Sequence, residues 1–368
     1  MIVHVLGNMT AGGNERLCLE LVRRGPPNVG RALITIDPVP AGPLKRLFES
    51  IPDLQIFCEP YHRNARLRFV LGMAKRLRQL RPEGIITYPF GLHLLIALAA
   101  RAVPGCRFIS HVGNPPPPHG PRRAVFEHIV YASRLLGTPM WSCSETVHEQ
   151  FEKLGLGMPK DSRPMPNGVN IEALREAAER GRSTRPAGGP TITMTARLDA
   201  IKDHDTLLRA FALVRRQLPT ARLLLAGEGD RKEALEHLSS ELGLGQSISF
   251  LGVRSSVGEL LGQVDLFVFS TTAAEGFGIA LAEAMAVGLP VVASNVPACR
   301  EVLNGGECGI LVPPRDVTAM ADAMLTLLRD PALAKSYAAK AAQRVSAEYD
   351  IRACAQHYYD YLLNARTA

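Results

Sequence analysis

The chain has 368 residues, too many for one ordinary core and enough for two domains of ~150 to 180 residues each. Apolar residues make up 46%, yet the longest apolar run, Leu92 to Ala100, is too short to cross a bilayer, which excludes a spanning helix there. The formal charge is +7, but no reading motif is present, which argues against nucleic acid as a partner.

Ile2-Val3-His4-Val5-Leu6 reads as a buried strand without a charged leader region, so no signal peptide is expected. Gly12-Gly13-Asn14-Glu15 opens an amphipathic helix carrying Leu17, Leu21 and Val22. Paired glycines at such a loop expose backbone N–H groups, a flexible turn being the alternative. The dinucleotide fingerprint is absent, since Gly7 and Gly12 do not give G-x-G-x-x-G. Further strands are expected at Arg31 to Asp37 and Gly84 to Tyr88. Between them, residues 61–82 hold Arg63, Arg66, Arg68, Lys75, Arg76, Arg78 and Arg81 and no acid. Phe69, Met73, Leu77 and Leu80 recur there at helical spacing. Two readings stand: a basic amphipathic helix that meets anionic membrane or an anionic acceptor, or a core-facing stripe with solvated arginines opposite.

His111 ends an apolar strand, where a lone histidine is more often structural. Four consecutive prolines stiffen Asn114 to Arg123, with acceptor contact and a plain spacer both open. Trp141 reads as core. Gly181 to Pro190 has no apolar period and reads as an exposed connector, which places the domain boundary between residues 168 and 190. The division expected is 1–170, 171–348, and a terminal helix in 349–368 with Tyr358, Tyr361 and Leu362 at helical spacing.

In the second half, strands are expected at Pro190 to Ala196 and Ala221 to Ala226, so strand and helix patterns alternate through both halves as in a doubly wound α/β fold. Arg197 and Lys202 follow the first of these strands with four residues between them, close enough to reach one anion, two solvated strand-end cations being the alternative. Asp203-His204-Asp205 has the look of a metal-binding DxD, but Asp205 is as well placed to cap the next helix. The most informative stretch runs from Glu275 through Gly276, Phe277, Gly278 and Ile279 to Glu283, after the apolar strand Val264 to Phe269. Gly276 and Gly278 allow a tight turn, and a helix starting near Gly278 points free N–H groups at a ligand, an arrangement that suits phosphate. Eight residues of helix cover about 12 Å, so one ligand that meets both carboxylates is elongated. The carboxylates repel phosphate and accept from hydroxyls flanking it, which is the layout of a nucleotide-sugar. Glu275 as a helix cap and Glu283 as a plain face residue is the alternative. The seven cysteines are scattered, odd in number and form no CxxC pair, which favours a reducing compartment and no zinc site.

Glu275 to Glu283 resembles the EX7E motif of the family 4 retaining glycosyltransferases. The resemblance implies a GT-B fold, α/β, with two doubly wound Rossmann-like domains facing a central cleft and a terminal helix crossing back to the first. It implies that Arg197 and Lys202 hold the donor diphosphate and stabilise its charge, with Glu275 on the sugar and Glu283 on the ribose. N–H groups near Phe277, Gly278 and Ile279 and at Gly12-Gly13 would assist, and His111 would touch the donor sugar. Asn167-Gly168-Val169 matches the family's hinge turn, the loop at Gly227 its GxG loop, and Phe250 to Val253 its nucleobase cradle. One departure is Asp203, where the family has glycine after the lysine. The implied activity is transfer of a hexose or N-acetylhexosamine from a nucleoside diphosphate sugar, UDP-sugar favoured, to a hydroxyl acceptor. The setting is envelope polysaccharide or glycolipid assembly, with neither cofactor nor metal, in the cytoplasm or at the inner membrane face. A natural-product transferase with a soluble acceptor, a UDP-sugar epimerase and a degenerate partner subunit are the alternatives.

Overall fold

The computed structural model describes residues 1–10, 12–37, 41–185 and 187–363. Pro186 of the expected connector and residues 364–368 of the expected terminal segment lie outside them. The chain divides into two compact units, Met1–Gly168 with Ile351–Ala368, and Val169–Asp350.

The first unit runs β1 (Ile2–Leu6), α1 (Gly13–Arg23), β2 (Arg31–Thr35), α2 (Lys45–Glu49), β3 (Leu54–Cys58), α3 (Arg66–Leu80), β4 (Gly84–Thr87), α4 (His93–Ala100), β5 (Arg107–Val112), α5 (Pro121–Leu136), β6 (Met140–Ser142), α6 (Glu145–Glu152) and β7 (Arg163–Pro164). Its strands form one parallel sheet in the order β3-β2-β1-β4-β5-β6-β7, with His4 level with Leu33 on one side and Ile86 on the other. Buried on both faces, these strands are short and almost wholly apolar, as parallel strands under two helix layers must be. On one face Val3, Val5, Ala32 and Ile34 pack against Phe69, Met73 and Leu77 of α3 and Ile96 of α4. The stripe expected on residues 61–82 therefore points into the core, the second of its two readings. On the other face Leu17 and Leu21 of α1 and Phe48 of α2 form a cluster with Trp141, Ile351, Tyr358 and Leu362.

The second unit runs α7 (Ile171–Ser183), β8 (Thr191–Thr195), α8 (His204–Gln217), β9 (Arg222–Ala226), α9 (Lys232–Glu241), β10 (Ile248–Phe250), α10 (Val257–Gly262), β11 (Leu266–Phe269), α11 (Ile279–Ala286), β12 (Val291–Ser294), α12 (Pro297–Val302), β13 (Ile310–Val312), α13 (Val317–Arg329) and α14 (Pro331–Glu348); α15 (Ile351–Leu363) returns to the first unit. Its parallel sheet has the order β10-β9-β8-β11-β12-β13. The stretch from Gly181 to Pro190 is not the boundary between units but joins α7 to β8 inside the second. Arg182 to Arg185, Ala187 and Gly188 are exposed as expected, and among the described residues of the stretch only Gly181 is buried. Gly181 closes α7 against α10, where an added Cβ would stand 2.1 Å from the Glu259 carbonyl oxygen.

Among the described residues no helix is long and apolar enough to cross a membrane.

Candidate functional site

In the second sheet β8 and β11 are neighbours, and the connections run outward from them in opposite directions. Ligands of open α/β sheets bind outside the carboxyl ends of strands at such a switch point. Arg197 and Lys202 follow β8 and Glu275 follows β11, so both expected groups stand at that end.

The two loops are tied together through main-chain carbonyls. The Ser270 hydroxyl donates to the Lys202 carbonyl at 3.1 Å, and the Thr272 amide donates to that of Ile201 at 2.9 Å. Thr271 is fully buried, with its hydroxyl 3.0 Å from the Ile201 carbonyl and 3.3 Å from Glu275 Oε2. Asp199 shapes the first loop from inside, accepting from the amides of Ile201 at 3.0 Å and Lys202 at 3.3 Å.

This frame brings Lys202 Nζ onto Glu275 Oε2 as an ion pair whose side chains are 14% and 10% exposed. The ammonium also lies 4.9 Å from the Phe269 ring centre. Glu275 Oε1 accepts from the Gly276 amide at 3.2 Å. Burial is the largest influence on Glu275 and pushes its pKa up. The Lys202 charge, with hydrogen bonds from Lys202, Gly276 and Thr271, outweighs it and holds the carboxyl below its ordinary range. Arg197 is different: its side chain is 63% exposed and pairs with Asp199 at 2.9 Å.

Gly278 caps α11 at φ 89°, ψ 57°, a left-handed conformation that glycine adopts without cost, and an added Cβ would stand 3.2 Å from Phe269. The first N–H groups of α11 have no acceptor within the helix, so this end offers donors and positive potential beside the Lys202–Glu275 pair. Phe277 itself is buried edge-on against Tyr349, ring centres 5.1 Å apart, so only its backbone can serve a ligand. Ile279 begins α11, and Glu283 lies one turn further in, 8% exposed. Gly227 has φ 151°, and a Cβ there would meet the Ala196 carbonyl oxygen at 1.8 Å. That close backbone passage beside Arg197 is reason enough for the glycine. Val253 follows Gly252 and is 40% exposed.

Asp203 departs from glycine but takes φ 39°, ψ 46°, so the left-handed turn is kept by a residue that tolerates it. Asp205 does not cap α8. It sits in the first turn and pairs with Arg231 at 3.0 Å, while His204 between them is buried.

In the first unit, Gly12 caps α1 in extended conformation, φ −74°, ψ 172°, with Glu15 in the helix's first turn. His111 is fully buried, its Nδ1 3.0 Å from the Tyr358 hydroxyl, and burial lowers its pKa to about 3. It is a neutral ring whose Nδ1 is engaged by α15, while its Nε2 is buried with no hydrogen-bond partner among the described residues.

Sequence reasoning passed over Thr271, Asp199 and Phe269. The only signal was a run of three hydroxyl residues, Ser270 to Thr272, directly after an apolar strand and in front of the glutamate. Because Thr271 touches both Glu275 and the Lys202 loop, Thr271→Val should lower stability by ~1.5–3 kcal/mol, the range of a hydrogen bond to a charged group. Thr271→Ser should restore most of it; urea melts of the three proteins decide it.

Two such sheets, with cations after one strand and a carboxylate and helix N-terminus after its neighbour, define a GT-B fold. The structure with UDP and glucose of Alr3699/HepE from Anabaena superposes with a TM-score of 0.85 at 20% identity, over 99% of each chain. WaaG, described as a glycosyltransferase involved in lipopolysaccharide biosynthesis, superposes at 0.77 and 16% identity, over 99% of this chain and 100% of that one. Residues 176–344 match the model of the family described as Glycosyl transferases group 1, in agreement with the likeness carried by Glu275 to Glu283. The phosphatidyl-myo-inositol mannosyltransferase of Mycobacterium leprae is 38% identical over 200 residues, 53% of this chain and 51% of its own length. The glycogen synthase of Mycobacterium tuberculosis is 29% identical over 213 residues, 57% and 50%. The chain thus spans about half the length of these relatives.

Proposed function

We propose that the chain is a retaining, metal-independent glycosyltransferase. It moves a hexose or N-acetylhexosamine from a nucleoside diphosphate sugar, with a UDP-sugar favoured, to a hydroxyl acceptor in envelope polysaccharide or glycolipid assembly. The observation that carries this reading is the buried Lys202–Glu275 pair beside the N-terminus of α11. An incoming diphosphate gives Lys202 a more highly charged partner, and Glu275 is then free to accept hydrogen bonds from sugar hydroxyls. Glu283 takes the ribose hydroxyls, Gly227 and Val253 flank the nucleoside through their backbones, and Gly278 and Ile279 give N–H groups to the phosphates. As the glycosidic bond breaks, charge gathers on the leaving diphosphate, where Lys202 and Arg197 stabilise it. The acceptor hydroxyl attacks on the leaving-group side and the departing phosphate takes its proton, so configuration is retained. Because these cations and the helix end meet the diphosphate charge, transfer should persist in EDTA; activity lost on chelation and regained with manganese would reject that part.

The UDP and glucose bound to HepE support a UDP-sugar, while the mannosyltransferase relative supports a mannosyl donor and a lipid acceptor. A lipid acceptor also fits residues 61–82 as the part of the first unit that meets membrane. Thermal shift against UDP, GDP, ADP and dTDP tests the reading, since a ligand of the folded state raises stability by RT ln(1 + [L]/Kd). One diphosphate should raise Tm clearly above the rest. A donor consumed without any acceptor would mark an epimerase instead.

A further inference from the structure

In the first unit α3, α4 and α5 lie side by side on one face of the sheet. Their inner sides build the core, and their outer sides carry Leu67 and Leu71 of α3, Leu98 of α4, and Val125, Tyr131 and Leu135 of α5. These six are between 48% and 73% exposed, and among the described residues they are all but one of the large apolar side chains left so open. Scattered exposed leucines need no explanation, but their confinement to one helix layer does.

The charge around them has one sign. On α3 the outer row Leu67, Leu71, Lys75, Arg78 turns opposite to the buried row Phe69, Met73, Leu77, with Arg66 and Arg68 exposed beside it. Arg122 and Arg134 stand exposed on α5. The acids nearby are engaged: Glu59 with Arg76 at 2.9 Å and Glu127 with Arg123 at 2.8 Å.

We infer that the outer surface of the α3–α4–α5 layer docks on an anionic lipid bilayer, Leu67, Leu71, Leu98, Val125, Tyr131 and Leu135 entering the headgroup boundary while the arginines and Lys75 meet lipid phosphates. This deepens the membrane contact proposed for residues 61–82. It replaces the stripe legible in the sequence, which is core, with a second apolar set shared by three helices. A second copy of the chain is the poorer occupant, because a two-fold contact would set this basic surface against itself, whereas an anionic bilayer complements it.

Cosedimentation with vesicles of neutral lipid, and of the same lipid with about 30 mol% anionic lipid, tests this directly. Binding should be at least about tenfold tighter to the anionic vesicles and weaken with salt. Leu67→Ser with Leu71→Ser should lower it about tenfold or more, since two leucines lose their place at the headgroup boundary. Arg66→Gln, Arg68→Gln and Lys75→Gln together should abolish the preference for anionic lipid. Both variants alter exposed side chains, so thermal stability and transfer to a soluble acceptor should stay at the wild-type level. The binding assay is separate from transfer, so an enzyme that transfers but ignores vesicles rejects the docking surface and leaves the proposed reaction standing. Equal binding to both vesicle types, or unchanged binding by the leucine variant, also rejects it. A dimer in sedimentation that the leucine substitutions dissociate would assign the face to a second copy.

Discussion

Lys202→Ala should lower kcat/KM by about 10²–10³, the loss seen when one charge-stabilising donor leaves a transition state. Two effects add. On the proposed reaction the leaving diphosphate loses its buried cation, and Glu275 keeps only the Gly276 amide and the Thr271 hydroxyl in a site that disfavours charge. The consequence for pH has a definite sign. In the wild type the Glu275 carboxyl is held below its ordinary range, so its stabilising contribution is complete above that range and is lost as pH falls through the lowered folded-state value. In Lys202→Ala burial has no opposing cation, and the carboxyl should move above its ordinary range. Ionised Glu275 then destabilises the variant at neutral pH, and acidification toward the ordinary range should recover part of the deficit. Urea melts of both proteins from neutral to mildly acid pH check this, and parallel profiles would remove Lys202 as the group that sets Glu275. Glu275→Ala offers the complementary case: transfer should collapse while UDP binding survives, because the sugar hydroxyls lose their acceptor and the diphosphate keeps its cation.

A chain ended after Asp350 should fail to hold its first unit folded. α15 buries Ile351, Tyr358, Tyr359 and Leu362 in that unit, none more than 3% exposed. At ~1.5–3 kcal/mol for each large apolar side chain, their loss is about 6–12 kcal/mol, comparable to the whole stability of a domain. Polar groups suffer as well. His111 loses the Tyr358 hydroxyl, and the Leu21 carbonyl loses that of Tyr359, 2.6 Å away. Trp141 loses its neighbour Tyr358, ring centres 4.8 Å apart. Loss of the near-ultraviolet circular dichroism of this sole tryptophan, with rapid proteolysis confined to residues 1–168, is the expected result. Tyr358→Phe keeps the ring and removes only the hydroxyl, so it should cost about 1–3 kcal/mol. A truncated chain with an unchanged melting point would show that α15 is dispensable.

The alternation of strand and helix was legible because parallel strands buried on both faces read as continuous apolar runs. Expected and observed ends differ by a residue or two, as at Arg31–Thr35 and Thr191–Thr195. Strand order was not legible, since nothing within β8 states that β11 lies beside it. The same limit governs the site. Glu275, Glu283, Arg197 and Lys202 stood out by residue type and spacing, but the ion pair joins residues 73 positions apart. The contact of His111 with Tyr358, 247 positions away, was not legible, since a lone histidine at a strand end looks alike whether it faces a ligand or a buried hydroxyl. On α3 the helical period identified the row that enters the core. Leu67 and Leu71 fall outside that period, and only the fold shows that they face solvent.

The path of the chain also bears on the order in which a ribosome-bound molecule gains structure. The second unit is one continuous stretch, Val169–Asp350, so all its parts are available as soon as that stretch has emerged. The first unit begins earlier yet lacks α15 until the residues beyond 350 appear. The usual vectorial sequence, N-terminal body first, is therefore inverted. While the second unit is being made, the surface that α15 will cover on Leu17, Leu21 and Trp141 stays open, which makes that interval the one in which a nascent chain most needs a chaperone.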